Sequence, residues 1–501
     1  MRHILWIDDE IRTLKPLILL LNNHGYNVTG VTSGDEGCEL LKNGSFNLIL
    51  LDERMPGRDG ISTLKGIREI NPNIPVVMIT KSEEETMIDK AYTSGVDDFL
   101  IKPLIPNQLI STCKRLFEKE SLIQKEIPEE YTKFYQTIRP KIGQSNNFKE
   151  WCSLYIELMC WSLKIAQDQE IWGLHSQLMQ ECEKEFVQYV EANYVNWVQN
   201  VESPILSVRV IPEFVVPHIS KDKKVYFIIL DCLRLDQWLT IKKFLEPLYK
   251  IKEDFYCSIL PSATPFARNA MHSGLYPSEI ANKYPQFWNP EENKYEKELF
   301  DLHLHKFNLQ GGYIKVRNLD EELNLRKNLT KFKSQQVMSV VINFLDYLVH
   351  AKHESQVVEE LVPDERGLCL LTELWFSRSY IYELLKEIAK EGNTVILTTD
   401  HGSIHVRRPT VIYGSRVISH NIRYKYGPAI RCDTKQALYI EEPAKYKLPG
   451  NIRYGIAKED YYFIYPTHLH EYTKEFKFTF QHGGISMQEM ILPCITLLPK
   501  I

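Results

Sequence analysis

Short apolar runs punctuate the first 120 positions: Ile4–Ile7, Leu48–Leu51, Val76–Thr80 and Asp98–Ile101. Each is bounded by polar or turn-forming residues and is too short for a helix, so each predicts a buried strand. Between and after them, positions 11–23, 34–43, 59–70, 84–94 and 106–118 carry apolar residues at helical spacing. Strands alternating with helices predict an α/β fold, a parallel sheet covered by helices on both faces. In such sheets chemistry gathers at the carboxyl ends of the strands.

The pattern changes near position 121. Residues 121–205 hold Trp151, Trp161, Trp172 and Trp197, few turn residues, and apolar positions spaced as Leu154, Leu158, Trp161 and Ile165. That spacing predicts an α-helical connector of packed helices, without a phosphate or metal motif. A second α/β pattern begins near 206. Val225–Leu230 is a buried run closed by Asp231, Thr394–Thr399 is closed by Asp400-His401, and Met490–Pro493 follows late in the chain. Three domains result, 1–120, 121–205 and 206–501.

A net charge of −5 argues against a broadly basic nucleic-acid coat. No helix-turn-helix signature appears, so a DNA-binding output is disfavoured. No segment approaches the ~20 apolar residues of a membrane helix, so membrane insertion is not expected. Ten cysteines without CxxC spacing read as reduced thiols of a cytoplasmic protein.

In the first domain the strand ends carry a chemical set: Asp8-Asp9 after the first run, Asp52 at the end of another, then Thr80, then Lys102. Clustered carboxylates suit Mg²⁺. One carboxylate can attack a phosphoryl group, while a hydroxyl and an ammonium hold the transferred oxygens. This segment resembles the receiver domain of two-component response regulators, a five-stranded parallel doubly wound sheet. The resemblance implies that Asp52 is phosphorylated, that Asp8, Asp9 and Asp52 with the Arg54 carbonyl hold Mg²⁺, and that Thr80 and Lys102 read the phosphoryl group. It also puts Phe99 at the switch-aromatic position.

The third domain carries a second set. Asp231 and Asp400-His401 follow buried strands. Asp346 and His350 are spaced i, i+4 in a helical stretch and so share one face. His482 precedes Gly483-Gly484, where the backbone can turn closely around a site. Carboxylate and imidazole ligands suit Zn²⁺. Thr264 precedes Pro265, a residue that starts helices, so its hydroxyl sits where an anion is favoured. In this order, and with Ser273-Gly274-Leu275-Tyr276-Pro277 following, these residues resemble the alkaline phosphatase superfamily and its phosphodiesterases. The resemblance implies two Zn²⁺ ions, one held by Asp231, Thr264, Asp400 and His401 and the other by Asp346, His350 and His482, with Thr264 as catalytic nucleophile. A phosphate-binding Asn closely follows the nucleophile in those enzymes. Here the candidates are Asn269 and Arg268. A sulfatase is disfavoured, since Thr264 is not a Cys or Ser in a formylglycine context.

Residues 402–432 contain Arg407, Arg408, Arg416, Arg423, Lys425 and Arg431, interleaved with Tyr413, Tyr424 and Tyr426 and without an acidic residue. Such a run is either a solvated basic face or, because it directly follows Asp400-His401, a wall for an anionic, base-bearing substrate, with Arg407 and Arg408 as candidate contacts. Receiver, connector and PglZ-type alkaline-phosphatase-like domain together resemble the PorX regulators of type IX protein secretion over the whole chain. That resemblance implies a sensor histidine kinase as partner, a homodimer on phosphorylation, a sigma factor or secretion-system component as output partner, and phosphodiesterase activity on (cyclic) oligonucleotides. The alternative is an output domain whose metal site binds a ligand or protein without turnover.

Overall fold

The computed structural model describes residues 2–71, 74–80, 96–165, 168–199, 204–220, 223–332, 334–354, 356–414, 419–466 and 476–500. They form two compact units, Met1–Phe134 and Tyr135–Ile501. In the first, strands β1 (Arg2–Ile7), β2 (Tyr26–Val31), β3 (Leu48–Asp52), β4 (Val76–Thr80) and β5 (Asp98–Ile101) form a parallel sheet in the order β2-β1-β3-β4-β5. The central strands β3 and β4 are buried at every position, which is why they read as unbroken apolar runs. Strand β2 carries no continuous apolar run to mark it. It is an edge strand, and its Tyr-Asn-Val-Thr-Gly-Val leaves the middle positions partly exposed.

Helices α1 (Lys15–Asn23), α2 (Gly34–Asn43) and α3 (Gly60–Ile70) cover this sheet. The Ser33 and Asp59 side chains cap the starts of α2 and α3 by accepting the backbone N–H groups of Glu36 and Ser62. The helix expected at 84–94 lies outside the described residues. The helix expected at 106–118 runs instead over Pro106–Ile142, so no loop falls at the boundary drawn at 120. The sequence there, Glu-Lys-Glu-Ser-Leu-Ile-Gln-Lys-Glu, is rich in helix formers, and the helix continues through Pro128.

In the second unit the connector's helices Phe148–Lys164 and Gln169–Trp197 precede a six-stranded sheet. Its strands are β6 (Val225–Leu230), β7 (Tyr249–Cys257), β8 (Gly311–Val316), β9 (Val337–Ile342), β10 (Thr394–Thr398) and Ile491–Pro499. Ile491–Pro499 lies between β7 and β10 and is antiparallel to both; the order then continues β10-β6-β9-β8, all parallel. The carboxyl ends of β6, β9 and β10 therefore open on one edge. Among the described residues no helix is long and apolar enough to cross a membrane.

The connector is tied to that edge. Glu183, on Gln169–Trp197, is buried and accepts the Met487 N–H at 3.0 Å. Met487 opens the short helix Met487–Met490, and a Cβ on Gly402 would lie 1.9 Å from the Gln488 carbonyl oxygen, so only glycine fits beside His401. Burial pushes the Glu183 carboxyl up to about 8, against the favourable Met487 contact. An unfolded chain releases that proton near ~4.3. The folded state therefore loses stability as pH rises between those values, by at most about 1.4 kcal/mol per pH unit. Glu183→Gln should gain in Tm relative to the parent as pH is raised from about 5 to about 8. A Tm difference flat in pH would show that the carboxyl is ionised throughout.

Candidate functional site

In the first unit the chain's strand-end residues meet as the alternation of strands and helices requires. Asp8, Asp9 and Asp52 bring carboxylate oxygens within 4.8 Å of one another, with Asp8 and Asp52 buried and Asp9 exposed. Lys102 Nζ lies 2.9 Å from Asp8 Oδ2 and 3.1 Å from Asp52 Oδ2. Burial, reinforced by the Asp8 charge and opposed by Lys102, pushes Asp52 up to about 6. Burial alone would depress Lys102, but its two carboxylate partners outweigh it and hold the ammonium above its ordinary value. Thr80 donates its hydroxyl to Glu53, a carboxylate that sequence reasoning did not single out. Phe99 is half-buried against the core cluster that contains Met55 and Met78.

In the second unit the structure brings all seven expected residues into one cleft of about 390 Å³ and its floor. Asp231 follows β6 and Asp400-His401 follow β10, while Asp346 and His350 stand one turn apart on the helix Phe344–Glu354. His482 enters from the loop at Gly483, whose φ of +115° and 2.5 Å approach of a Cβ to Tyr424 admit only glycine. Asp231, Asp400 and His401 form one triad of metal-capable atoms within 4.8 Å, and Asp346, His401 and His482 form another. His350 Nε2 joins the second at 3.4 Å from Asp346 Oδ1 and 3.3 Å from His482 Nε2. The His401 and His482 rings stack with centroids 4.1 Å apart.

Thr264 occupies the first turn of the helix Thr264–Ser273, half-buried, with Oγ1 2.9 Å from His401 Nε2. His401 Nδ1 faces the Gly402 carbonyl at 3.2 Å, so the ring donates there and leaves Nε2 as the lone-pair nitrogen. The donor set fits a cation. Asp231 Oδ1, Asp346 Oδ1 and both Asp400 carboxylate oxygens are buried and make no hydrogen bond. Burial, with Asp400 and Asp346 adding and Arg268 opposing, pushes Asp231 well above the carboxylate range. Burial likewise depresses His482, with His401 adding to it. For Asp346 burial acts upward, but the His350 contact and the neighbouring imidazoles outweigh it and hold the carboxyl low.

Of the four expected substrate contacts, Arg268 lines the cleft but is 1% exposed, its guanidinium set among the carboxylates of Asp231, Asp400 and Glu296. The other three require correction. Asn269 is buried too and donates to the Pro265 carbonyl, so it is not free to grip phosphate. Arg407 and Arg408 line a different cavity, against Glu365, Glu459 and Asp460, where Arg408 pairs with Glu459 and Asp460. Elsewhere in the run Arg423 and Lys425 are buried, whereas Tyr413 and Arg431 are exposed. Arg423 is buried in an ion pair with Glu489, and Glu489 also accepts the Gly484 N–H, which fixes the His482 loop. Arg416 lies outside the described residues. Tyr424 of the run does line the cleft, as do Asn421, Lys315, Arg317 and Tyr347, none of the last four singled out in the sequence. Sequence reasoning also passed over Asn343. It closes the apolar run of β9 as Asp231 closes β6, and donates to Asp231 Oδ2 at 2.7 Å.

A receiver followed by packed helices and an α/β domain with two overlapping metal-capable triads defines a response regulator with an alkaline-phosphatase-like output domain. The chain belongs to the family described as the BREX system PglZ alkaline phosphatase-like domain, whose model matches residues 210–497, more than half its length. The response regulator receiver domain model matches residues 4–114 and the PorX response regulator linker domain model matches 121–198, the arrangement of a PorX-like response regulator. Transcriptional regulatory protein ZraR of Escherichia coli (strain K12) is 40% identical over 126 residues, 25% of this chain and 28% of ZraR. Transcriptional regulatory protein ResD of Bacillus subtilis (strain 168) is 34% identical over 118 residues, 24% of this chain and 49% of ResD. The chain thus spans less than half the length of these curated relatives. A CheY-like receiver domain protein from Methanospirillum hungatei JF-1 is 27% identical, covering 24% of this chain and 98% of its own, with a TM-score of 0.23. A Francisella response regulator 1452 receiver domain is 28% identical over 24% of this chain and 99% of its own, also at 0.23.

The receiver geometry sets an expectation with a definite sign. Asp52 is protonated below about pH 6, so Mg²⁺ must then displace a proton and its apparent affinity should fall by up to about tenfold per pH unit below that value. Calorimetric Mg²⁺ titrations at pH 5 and pH 7 measure the fall, and equal affinities would contradict it. Asp52→Asn should leave no acid-labile phosphate after incubation with acetyl phosphate.

Proposed function

We propose that this response regulator carries a zinc-dependent phosphodiesterase as its output domain, with Thr264 as the nucleophile. One observation carries the reading: the half-buried Thr264 hydroxyl stands at a helix N-terminus, 2.9 Å from an imidazole that belongs to both metal-capable triads. Carboxylate oxygens and imidazole nitrogens are the ligands Zn²⁺ prefers. One ion would be held by Asp231, Asp400, His401 and Thr264, and the other by Asp346, His350 and His482. Bound there, the pair would supply Lewis acidity, favouring the Thr264 alkoxide and offsetting charge on the reacting phosphate.

The remaining work belongs to the chain's own side chains. Thr264 Oγ forms a bond to phosphorus as the bond from phosphorus to the leaving alcohol oxygen breaks. The threonine proton is released to solvent, and the leaving oxygen takes one up. Water then attacks phosphorus, the bond to Oγ breaks, and the hydroxyl is restored. The helix N-terminus favours the phosphate anion.

Lys315 and Arg317 bring cationic side chains to the cleft, which the aromatic residues Tyr347 and Tyr424 also line. That combination supports a nucleotide phosphodiester, including a linear or cyclic oligonucleotide, over a small monoester. Control would come from Asp52, phosphorylated by a sensor histidine kinase with Mg²⁺ at Asp8, Asp9 and Asp52. Homodimerisation and contact with a type IX secretion component or a sigma factor would follow.

Thr264→Val preserves shape and removes the hydroxyl. It should lower hydrolysis of bis-p-nitrophenyl phosphate by about 10³-fold or more, as loss of a residue acting within a catalytic unit does. Thr264→Ser should keep part of the rate. A valine variant as fast as the parent would remove Thr264 from the chemistry, and a parent chain loaded with zinc but inert would favour a binding module.

A further inference from the structure

Arg268 follows Thr264 by one helical turn on Thr264–Ser273, and its side chain is 1% exposed. Its Nη1 lies 2.6 Å from Asp231 Oδ2 and 3.5 Å from Asp400 Oδ2, while Nε donates to Glu296 Oε1 at 2.6 Å. Asp231 and Asp400 are two ligands of the first metal site in the reading above. Glu296, on the helix Glu296–His305, is 2% exposed, and its other oxygen accepts from Lys315 at 3.1 Å and from the Tyr313 hydroxyl. Burial acts to raise the Glu296 carboxyl, but Arg268 and Lys315 outweigh it and hold it at about 2. Glu296 is therefore a permanent anion at the back of Arg268.

The two oxygens of Asp231 have divided tasks. Oδ2 meets Arg268 and accepts from Asn343 Nδ2 at 2.7 Å, whereas Oδ1 accepts no hydrogen bond and faces His401 Nε2 at 3.7 Å. A carboxylate's terminal torsion is broad, so without donors on Oδ2 the ligand oxygen would swing away from the metal position.

We propose that Arg268, braced by Glu296, is a positioning residue of the first metal site. It fixes the Asp231 carboxylate and stands beside that of Asp400, so that Asp231 Oδ1 meets the Asp400 oxygens and His401 beside Thr264. This rests on the two-metal reading above. A lone guanidinium would repel an incoming cation, but Glu296, which Arg268 shares with Lys315, offsets part of its charge and holds its fork in place. Groups that orient metal ligands are typically worth about 10–100-fold in metal affinity.

The test strips the full-length chain with a chelator and titrates Zn²⁺ by calorimetry and Co²⁺ by its visible absorption. The parent should bind two ions per chain; if it does not, the two-metal reading fails whatever Arg268 does. With two ions bound by the parent, Arg268→Met should lose about 10–100-fold at one site and keep the other, with the Co²⁺ band of one site altered. Arg268→Lys should recover only part, since an ammonium cannot reproduce the fork. Wild-type or tighter affinity at both sites in Arg268→Met would overturn the proposal, and a raised KM for bis-p-nitrophenyl phosphate with unchanged metal affinity would return Arg268 to substrate binding. Should Arg268→Met fail to fold, Glu296→Gln keeps every first-site atom and leaves the guanidinium unbalanced. It should also weaken one metal site, and unchanged affinity there would equally overturn the proposal.

Discussion

The output domain depends on a repulsion held in check. Asp231, Asp346 and Asp400 arrive at one edge of the sheet with little or no water to solvate them. Two unit charges ~4 Å apart interact by about 4 kcal/mol at an effective dielectric of ~20. Three such groups cannot remain ionised together unless positive charge sits among them. The surroundings answer part of that need: Arg268 brings a cation to Asp231 and Asp400, the Asn343 amide donates to the oxygen that Arg268 also meets, and the imidazoles on the cleft side add ligand nitrogens for a cation. The buried pairs Arg268–Glu296 and Arg423–Glu489 are the next layer, keeping the counter-charges and the His482 loop fixed.

The receiver solves the same problem with a different cation. Lys102 sits between Asp8 and Asp52 as a flexible point charge, and its side chain keeps 11% of its exposure. Arg268 is a planar fork locked among three carboxylates at 1%. A lysine suits a site whose charge changes when a phosphoryl group arrives, because it can follow the added oxygens. An arginine suits a site whose ligands must stay put.

Legibility from sequence followed the reach of each interaction. A polar residue closing an apolar run marked Asp52, Thr80, Asp231 and Asp400, because one strand sets both burial and position. Helical spacing marked Asp346 and His350 for the same local reason. The roles of Arg268, Arg408 and Arg423 were misread or missed because their partners are distant in the chain: Glu296, Asp460 and Glu489. A run of arginines displays the sign of its charge but not what neutralises it, so a set of internal ion pairs resembled a substrate wall. Strand β2 escaped because an edge strand need not be apolar throughout.

The C-terminal domain's sheet is also assembled out of chain order. The receiver's five strands all lie within the first 101 residues, so every strand of that sheet has been made early in synthesis. By contrast, β10 and β7 are joined only through Ile491–Pro499, a strand made some 240 residues after β7 begins. Until the ribosome has produced that strand, β7 has no strand partner in the sheet and β10 is paired only to β6. A nascent chain therefore carries the cluster of Asp8, Asp52 and Lys102 long before the cleft around Asp231, Asp400 and His482 can close, and translation itself sets the two sites apart in time.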